Sequence, residues 1–452
     1  MARARMGTAI AIGAVLAAGG WAQSSNADQS KLDQILLQLS ELRQENQKLH
    51  GEMDELRRQV NELTSAKAAA PVPEHLDEKL EVLNQRVEDL DTGKVEAAGH
   101  FPVKLSGLVL MNSYLYAGQT GGVDLPLAGA IGAAQRSSGA TFRNTELGFS
   151  YSGSQGIWGA RPAGELNLDL FGGTLNSQNN LARIRTASIG LDWERRSLTF
   201  ALDKPILSPR NPDSLSQLGV PALANSGNLW LWQPQVRYEE RVAWNQSSGL
   251  TARIGVYQTN ESLAGLPATV RLSPSRPALQ GRFEFFRDFG KGRRLELAPG
   301  FHLSRSLAAG MSATSYAASM DWLAPLAPRL DWTGFAFSGQ DLSGLGIAAL
   351  HQGLMLRDGR LLPVRTRGGW TQLTVHAAAR TDLNLIAGLN DDNNRDLAAN
   401  GVGRNLTYLA NLRFRLAPML VLGPEIMQIR TTYLQSGILR INRYDLALGY
   451  FF

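Results

Sequence analysis

The sequence predicts an all-β transmembrane barrel of about 16 antiparallel strands behind an N-terminal α-helical coiled coil. Three observations predict it: an export signal at the start, recurrent strands of alternating polarity from residue 102 onward, and an aromatic-ended strand at the carboxyl terminus. No later stretch supplies the ~20 consecutive apolar residues of a membrane helix, so an exported chain of this kind either stays soluble or spans as a closed barrel.

Residues 1–27 read as a signal peptide. Arg3 and Arg5 form a basic flank and Gly7 to Gly20 an apolar Ala/Gly-rich core, and the small residues around Ala22 and Ala27 offer two cleavage sites. The chain has no cysteine, which excludes disulfides, thiolate ligands and an acylated lipoprotein anchor.

Residues 28–66 carry heptads. Leu32, Leu39, Asn46, Met53 and Val60 occupy the a positions, and Ile35, Leu42, Leu49, Leu56 and Leu63 the d positions. That bare a/d seam predicts a coiled coil, with Asn46 fixing register at some cost in stability. Residues 67–98 form a linker broken by Pro71 and Pro73, followed by a short second helix with Leu76, Leu80, Leu83, Val87 and Leu90 on one face. Acidic residues prevail up to position 98 and basic ones beyond it, so the net charge of +5 belongs to the second region.

Residues 99–452 are assigned to the barrel. In Gln233 to Asn245 the side chains Gln233, Gln235, Arg237, Glu239 and Arg241 share one face, and Trp232, Pro234, Val236, Tyr238, Val242 and Trp244 the other. A charged face opposite an apolar face bounded by tryptophans suits a wall between water and lipid. Glu240 interrupts the apolar side and is placed near a rim. The same alternation sets Arg282 and Glu284 opposite Leu279, Phe283 and Phe285, and Arg413 and Arg415 opposite Leu412 and Phe414; Leu198 and Phe200 and the run Leu295, Leu297, Phe301 and Leu303 mark further strands. The last strand steps through Tyr444, Leu446, Leu448, Tyr450 and Phe452 at two-residue intervals. It looks like the C-terminal signal read by the barrel assembly machinery of Gram-negative bacteria, with Phe452, Tyr450 and Leu448 as its core.

The layout of signal, coiled coil, Pro-containing linker and barrel resembles the DcaP-like trimeric porins, a family related to the phosphate-selective porins. Gln233-Pro234-Gln235-Val236-Arg237-Tyr238 resembles the strand that follows that family's constriction loop, Leu422-Gly423-Pro424-Glu425 with Arg443 to Phe452 its final hairpin, and Lys104-Leu105-Ser106-Gly107 its first strand. Leu198 to Leu207 departs from the family's approach to that loop, and no Arg-dense run marks a phosphate ladder. The resemblance implies a homotrimer in the outer membrane, in contact with lipid and lipopolysaccharide, with its coiled coil in the periplasm, passing small anionic solutes.

Among basic residues of the barrel region only Lys104, Lys204 and Lys291 are lysine, so any lumenal charge is mostly guanidinium. Arg237, Arg241, Arg282, Arg413, Arg415, Glu239 and Glu284 are the candidate pore-lining residues, because each sits on the polar face of a well-phased strand. Arg183, Arg185, Arg365 and Arg367 lie in strands whose phase is ambiguous and rank below them; for all these arginines the plainer role is a rim contact to lipopolysaccharide phosphate or a pair with an acid. The Pro/Asn/Ser-rich stretch from Asp203 to Leu231 is either an external loop or a constriction loop, and in the second case Lys204, Arg210 and Asp213 face the aperture. Asp341 to Leu350 could form a small helix.

Two other classes compete. An outer-membrane hydrolase needs a nucleophile and a base, yet His302, His351 and His376 stand beside no Gly-x-Ser-x-Gly motif. A structural anchor would use the coiled coil to reach peptidoglycan. Neither a metal-ligand spacing nor a phosphate-cradling loop is present, so no metal or cofactor is expected, and export makes a nucleic-acid partner idle.

Overall fold

The computed structural model describes residues 103–452 apart from 154–155, 157, 174–179, 259–262, 265–272, 291, 309–310 and 347–352, together with Val95–Glu96. The signal peptide, the coiled coil with Asn46, and the second helix lie outside the described residues.

Sixteen antiparallel staves close into a barrel. They are β1 (Val103–Gly118), β2 (Gln135–Thr141 continued by Glu146–Ser152), β3 (Arg161–Asp169), β4 (Arg183–Asp192), β5 (Arg196–Asp203), β6 (Gln233–Ala243), β7 (Ser248–Tyr257) and β8 (Ser273–Asp288). The circuit continues with β9 (Arg294–Ala308), β10 (Met311–Ala327), β11 (Leu330–Gln340), β12 (Arg365–Ala378), β13 (Thr381–Asp392), β14 (Val402–Ala417), β15 (Leu420–Tyr433) and β16 (Gly437–Phe451). Each stave pairs with its neighbours in sequence, and β16 returns to β1 in register from Leu108↔Phe451 to Gly118↔Ile441. Closure leaves no unpaired edge, the condition for sheet inside a bilayer.

Polarity is inverted relative to a soluble protein. Leu297, Leu303, Leu385, Tyr444, Leu446, Leu448 and Tyr450 are large, apolar and exposed, whereas Asn112, Arg282, Asp321, Asn405 and Arg443 are buried. The phases read from the sequence for β6, β8, β9, β14 and β16 are those of the barrel. One end carries turns as short as 328–329, 379–380 and 418–419; the other carries long connections, including 204–232 and 341–364.

Phe452 extends the closing seam. Its backbone N–H donates to Gly107 O at 3.1 Å and its carbonyl accepts from Gly107 N at 2.9 Å, while its ring occupies the space where a Gly107 side chain would stand. Deleting Phe452 removes both bonds and the ring. The expected result is a marked fall in the heat-modifiable, folded band on cold gels of membrane fractions; an unchanged yield would contradict a role for this residue in closure.

The interior divides in two. On β11 to β16 the inward residues Phe335, Trp370, Ile386, Leu409, Met427 and Ile429 are apolar and form one core with Leu207, Leu223 and Leu229 of the 204–232 connection. On β3 to β10 the inward residues include charged ones, among them Glu239, Arg282, Glu284, Glu296 and Asp321. The connection packs on the apolar side and is tied by polar bonds to β8, β9 and β10, while Arg185, Arg237 and Glu165 of β3 to β6 line a cavity left open beside it.

Candidate channel constriction

Residues 204–232 fold into the lumen and follow the wall. Ile206 N donates to Gln280 Oε1 at 2.8 Å, and Arg210 is held by Asp321 and Glu296. Asp213 exchanges bonds with Gln372, at 2.9 Å from its N–H and 2.6 Å to its carboxylate, and its carbonyl accepts from Asn411 at 2.7 Å. Ser214 Oγ and Gln217 Nε2 donate to Glu425 at 2.6 and 2.9 Å. Farther on, Ser226 Oγ lies 2.7 Å from Thr407 Oγ1, and Asn405 Nδ2 donates to Asn225 O at 3.0 Å.

Glycine permits the closest approach. Gly227 has φ +94°, and a side chain there would stand 2.1 Å from Gly369 O. Gly388 likewise faces Ser226 O, at 2.3 Å from a would-be Cβ. The three buried leucines of the loop contribute about 1.5–3 kcal/mol each, so packing together with the polar bonds fixes this segment. The segment at 341–350 takes a different shape from the small helix expected: only Ser343–Leu345 form a single 3₁₀ turn, and residues 347–350 lie outside the described residues. Its role is bracing, since Gly344 O accepts from Gln233 at 2.6 Å and Leu345 O from Leu231 N at 3.2 Å.

The candidate arginines fall into distinct settings. Arg237 pairs with Asp203 at 2.7 Å beside an open cavity. Arg241 is 53% exposed and donates to Glu239, which also accepts from Arg253. Arg282 points inward but is 1% exposed, sealed by a two-point pair with Asp321 at 2.7 and 2.8 Å and by Glu284 at 2.6 Å, with Arg210 beyond. It and Glu284 are wall structure, a burial set by the inward loop and invisible in strand phase. Arg413 lies 3.7 Å from Asp213, and Arg415 is exposed one inward position further along β14. Of the expected loop residues, Lys204 lines the cavity and donates to Pro209 O, Asp213 is part-exposed, and Arg210 is spent on the wall.

Two arginines ranked low from sequence stand at the centre. Between β3 and β4 the register shifts at Asn167/Leu168, leaving Arg185 as an extra residue. Ile184 faces out before this bulge and Ile189 after it, so parity changes while both arginines stay inside. That change of parity is the signal available in the sequence. Arg183 is held by Asp169 at 2.8 and 2.9 Å and by Gly219 O, and Arg185 pairs with Glu146.

With Arg143, which is buried and donates to Gly172 O at 3.1 Å, they make a row interleaved with aromatic faces. Arg143 lies 4.1 Å from the Phe171 ring, Arg183 5.5 Å from Phe171 and 5.2 Å from Trp232, and Arg185 5.2 Å from Trp232. The row joins two lumenal cavities, one of about 330 Å³ beside Arg185, Lys204 and Arg237, the other of about 460 Å³ beside Tyr116, Arg143 and Phe171. Arg365 and Arg367 instead face outward and pair with Asp396 and Asp391.

One serine and histidine do meet: His302 Nε2 is 3.1 Å from Ser315 Oγ. The histidine is 0% exposed, and the serine hydroxyl donates to Asp341 O at 2.7 Å. A hydroxyl that gives its proton to a carbonyl is not activated by that histidine, and no substrate can reach it. Among the described residues no group of acids and histidines is arranged to hold a metal, and no helix is long and apolar enough to cross a membrane.

No family model and no curated protein matches the sequence. Solved structures do. The outer membrane channel DcaP of Acinetobacter baumannii superposes with a TM-score of 0.64 at 15% identity, over 77% of this chain and 97% of that one. The anion-selective porin from Comamonas acidovorans gives 0.49 at 11% identity, over 78% and 100%, and OprB of Pseudomonas putida 0.48 at 12%, over 81% and 96%. The chain shares the DcaP fold, the one to which its sequence layout pointed.

Proposed function

We propose that this chain is an outer-membrane porin through which small polar solutes diffuse passively, anions in preference to cations. The observation that carries the reading is the inward loop bedded on the wall, which leaves open the lumenal strip beside Arg183, Arg185 and Arg237. Guanidinium groups with aromatic flanks hold anions by paired donors yet release them, because Asp169 and Glu146 compete for the same donors. The acids of the strip keep the preference modest. Of the residues named from sequence, Arg237, Arg241, Arg413, Arg415 and Lys204 belong to the same water-facing surface.

The short turns belong on the periplasmic side and the long loops outside, as in other barrels of this type; the coiled coil then hangs in the periplasm and the porin assembles as a trimer. The test is the conductance of the purified full chain in planar bilayers bathed in phosphate, succinate and a neutral sugar. Stepwise anion-preferring currents, reduced by phosphate and succinate more than by the sugar, are expected. Absence of steps would overturn the reading.

Lys204 supplies a pH dependence. Burial, together with Arg185, Arg210 and Arg237 nearby, holds its ammonium below the ordinary lysine range despite Asp203. It therefore sheds its charge at a lower pH than an exposed lysine, whose value is about 10.4. Anion preference is expected to weaken as pH rises toward that range, and Lys204→Arg to abolish the change. A reversal potential equally pH-dependent in the variant would remove Lys204 from the aperture.

A further inference from the structure

Conduction uses the inner wall, and the outer wall of β12 to β16 has an ordered chemistry of its own. At its loop end Arg367, Asp391 and Arg404 stand in direct register on neighbouring strands. Arg367 and Arg404 both donate to Asp391, at 2.9 and 3.0 Å, yet Arg367 stays 74% exposed. Arg365 holds Asp396 through two bonds of 2.8 Å. One outward position further in, Arg430 and Arg440 face each other across β15 and β16. Arg430 donates to Gln428 at 2.6 Å and lies 5.6 Å from the Tyr408 ring. Neither Arg430 nor Arg440 has an ion pair among the described residues, so the arginines of this face outnumber its two aspartates.

Directly below, the same strands form a depression of about 810 Å³ in the outer wall. Its floor is small, with Thr371, Ala387 and Ala410, and its sides are Trp332, Leu385 and Ile426. At about 3.4 Å per strand residue, Thr371 lies roughly 14 Å along β12 from Arg367. An outward arginine at the edge of a barrel's apolar band meets lipid headgroups rather than bulk water. Asp391 keeps two guanidinium groups side by side with donors still open to the exterior, a geometry suited to phosphate oxygens.

We infer that this face binds an anionic amphiphile from the leaflet at the loop end of the barrel, with its phosphorylated headgroup on Arg367, Arg404 and Arg430 and an acyl chain in the groove. Charge complementarity selects the headgroup, and the apolar groove aligned beneath it selects a molecule that carries a chain. The site is separate from the lumen, so it stands or falls independently of conductance.

The test uses the full chain in non-ionic detergent, mixed with lipopolysaccharide or phosphatidylcholine, with bound amphiphile read by native mass spectrometry. Lipopolysaccharide is expected to bind and phosphatidylcholine to be washed away. The triple variant R367S/R404S/R430S should bind about a hundredfold more weakly, at about fivefold for each arginine near an anionic surface. Ala410→Trp, which fills the groove and leaves every charge in place, should weaken binding too. Cold-gel mobility reports folding; should the triple variant not fold, Arg430→Gln replaces it, with a loss of about fivefold expected. Equal binding of both lipids, undiminished binding by the folded variants, or displacement by excess inorganic phosphate alone would overturn the inference. So would a variant that separates an oligomer into single chains while lipopolysaccharide still binds, since the face would then belong to a second copy.

Discussion

Replacing Gly227 by valine is expected to raise single-channel conductance severalfold while leaving the barrel folded. A side chain at φ +94° is strained, and its Cβ would stand 2.1 Å from Gly369 O, where no rotamer relieves the overlap because the backbone fixes the Cβ and the oxygen is itself backbone. The loop must lift. Lifting forfeits the burial of Leu223 and Leu229 beside it, on the order of 3–6 kcal/mol, together with the Ser226 and Asn225 contacts to β14. The strand ladders are untouched, so heat-modifiable mobility should persist. Gly388→Val acts from the wall side of the same loop, since its Cβ would stand 2.3 Å from Ser226 O, and should reproduce the effect. Conductance unchanged in both variants would mean that the loop does not set the aperture.

The second large effect is expected from Arg185→Glu. Beside this position the cavity holds Arg185, Lys204 and Arg237 against Glu146, Glu165 and Asp203, so its charges are nearly balanced. Reversing one charge places a new carboxylate against Glu146 and tips the balance negative. For an ion about 5 Å away at an effective dielectric near 20, a unit charge is worth on the order of 3 kcal/mol before salt screening. A change of roughly tenfold or more in the anion-to-cation permeability ratio follows, enough to change the sign of the reversal potential in a salt gradient. Arg185→Lys should retain the sign. An unaltered reversal potential in Arg185→Glu would place the ion path elsewhere.

The parts of this architecture legible in the sequence are those governed by local alternation. In β6 the row Gln233, Gln235, Arg237, Glu239 and Arg241 could be assigned to the lumen because every neighbour with the opposite parity is apolar or at a rim, Glu240 included. The outward run from Tyr444 to Tyr450 was equally plain. What escaped depends on contacts between distant segments. Arg183 and Arg185 share the lumen because a bulge at Arg185, opposite Asn167 and Leu168, shifts the phase, and a single strand does not reveal its partner's register. Arg282 has the right phase, but Arg210, from the inward loop, caps Asp321, one of the two acids that hold it. The strands β11 to β15 carry apolar side chains on both faces, because Phe335, Trp370, Ile386, Leu409 and Met427 meet that loop while Leu373, Leu385 and Ile426 face outward. An inward apolar patch and a lipid-facing one look alike until the loop between β5 and β6 is seen to need a bed.

That bed can be tested directly. The chain has no cysteine, so Ser226→Cys with Thr407→Cys introduces a single pair, at positions whose hydroxyl oxygens lie 2.7 Å apart. Mild oxidation of the folded double variant should form one disulfide within the chain, seen by mass as the loss of two hydrogens, with conductance close to that of the unmodified channel. Free thiols that persist under oxidation in a correctly folded barrel would contradict the docked loop, and with it the placement of the aperture along Arg183, Arg185 and Arg237.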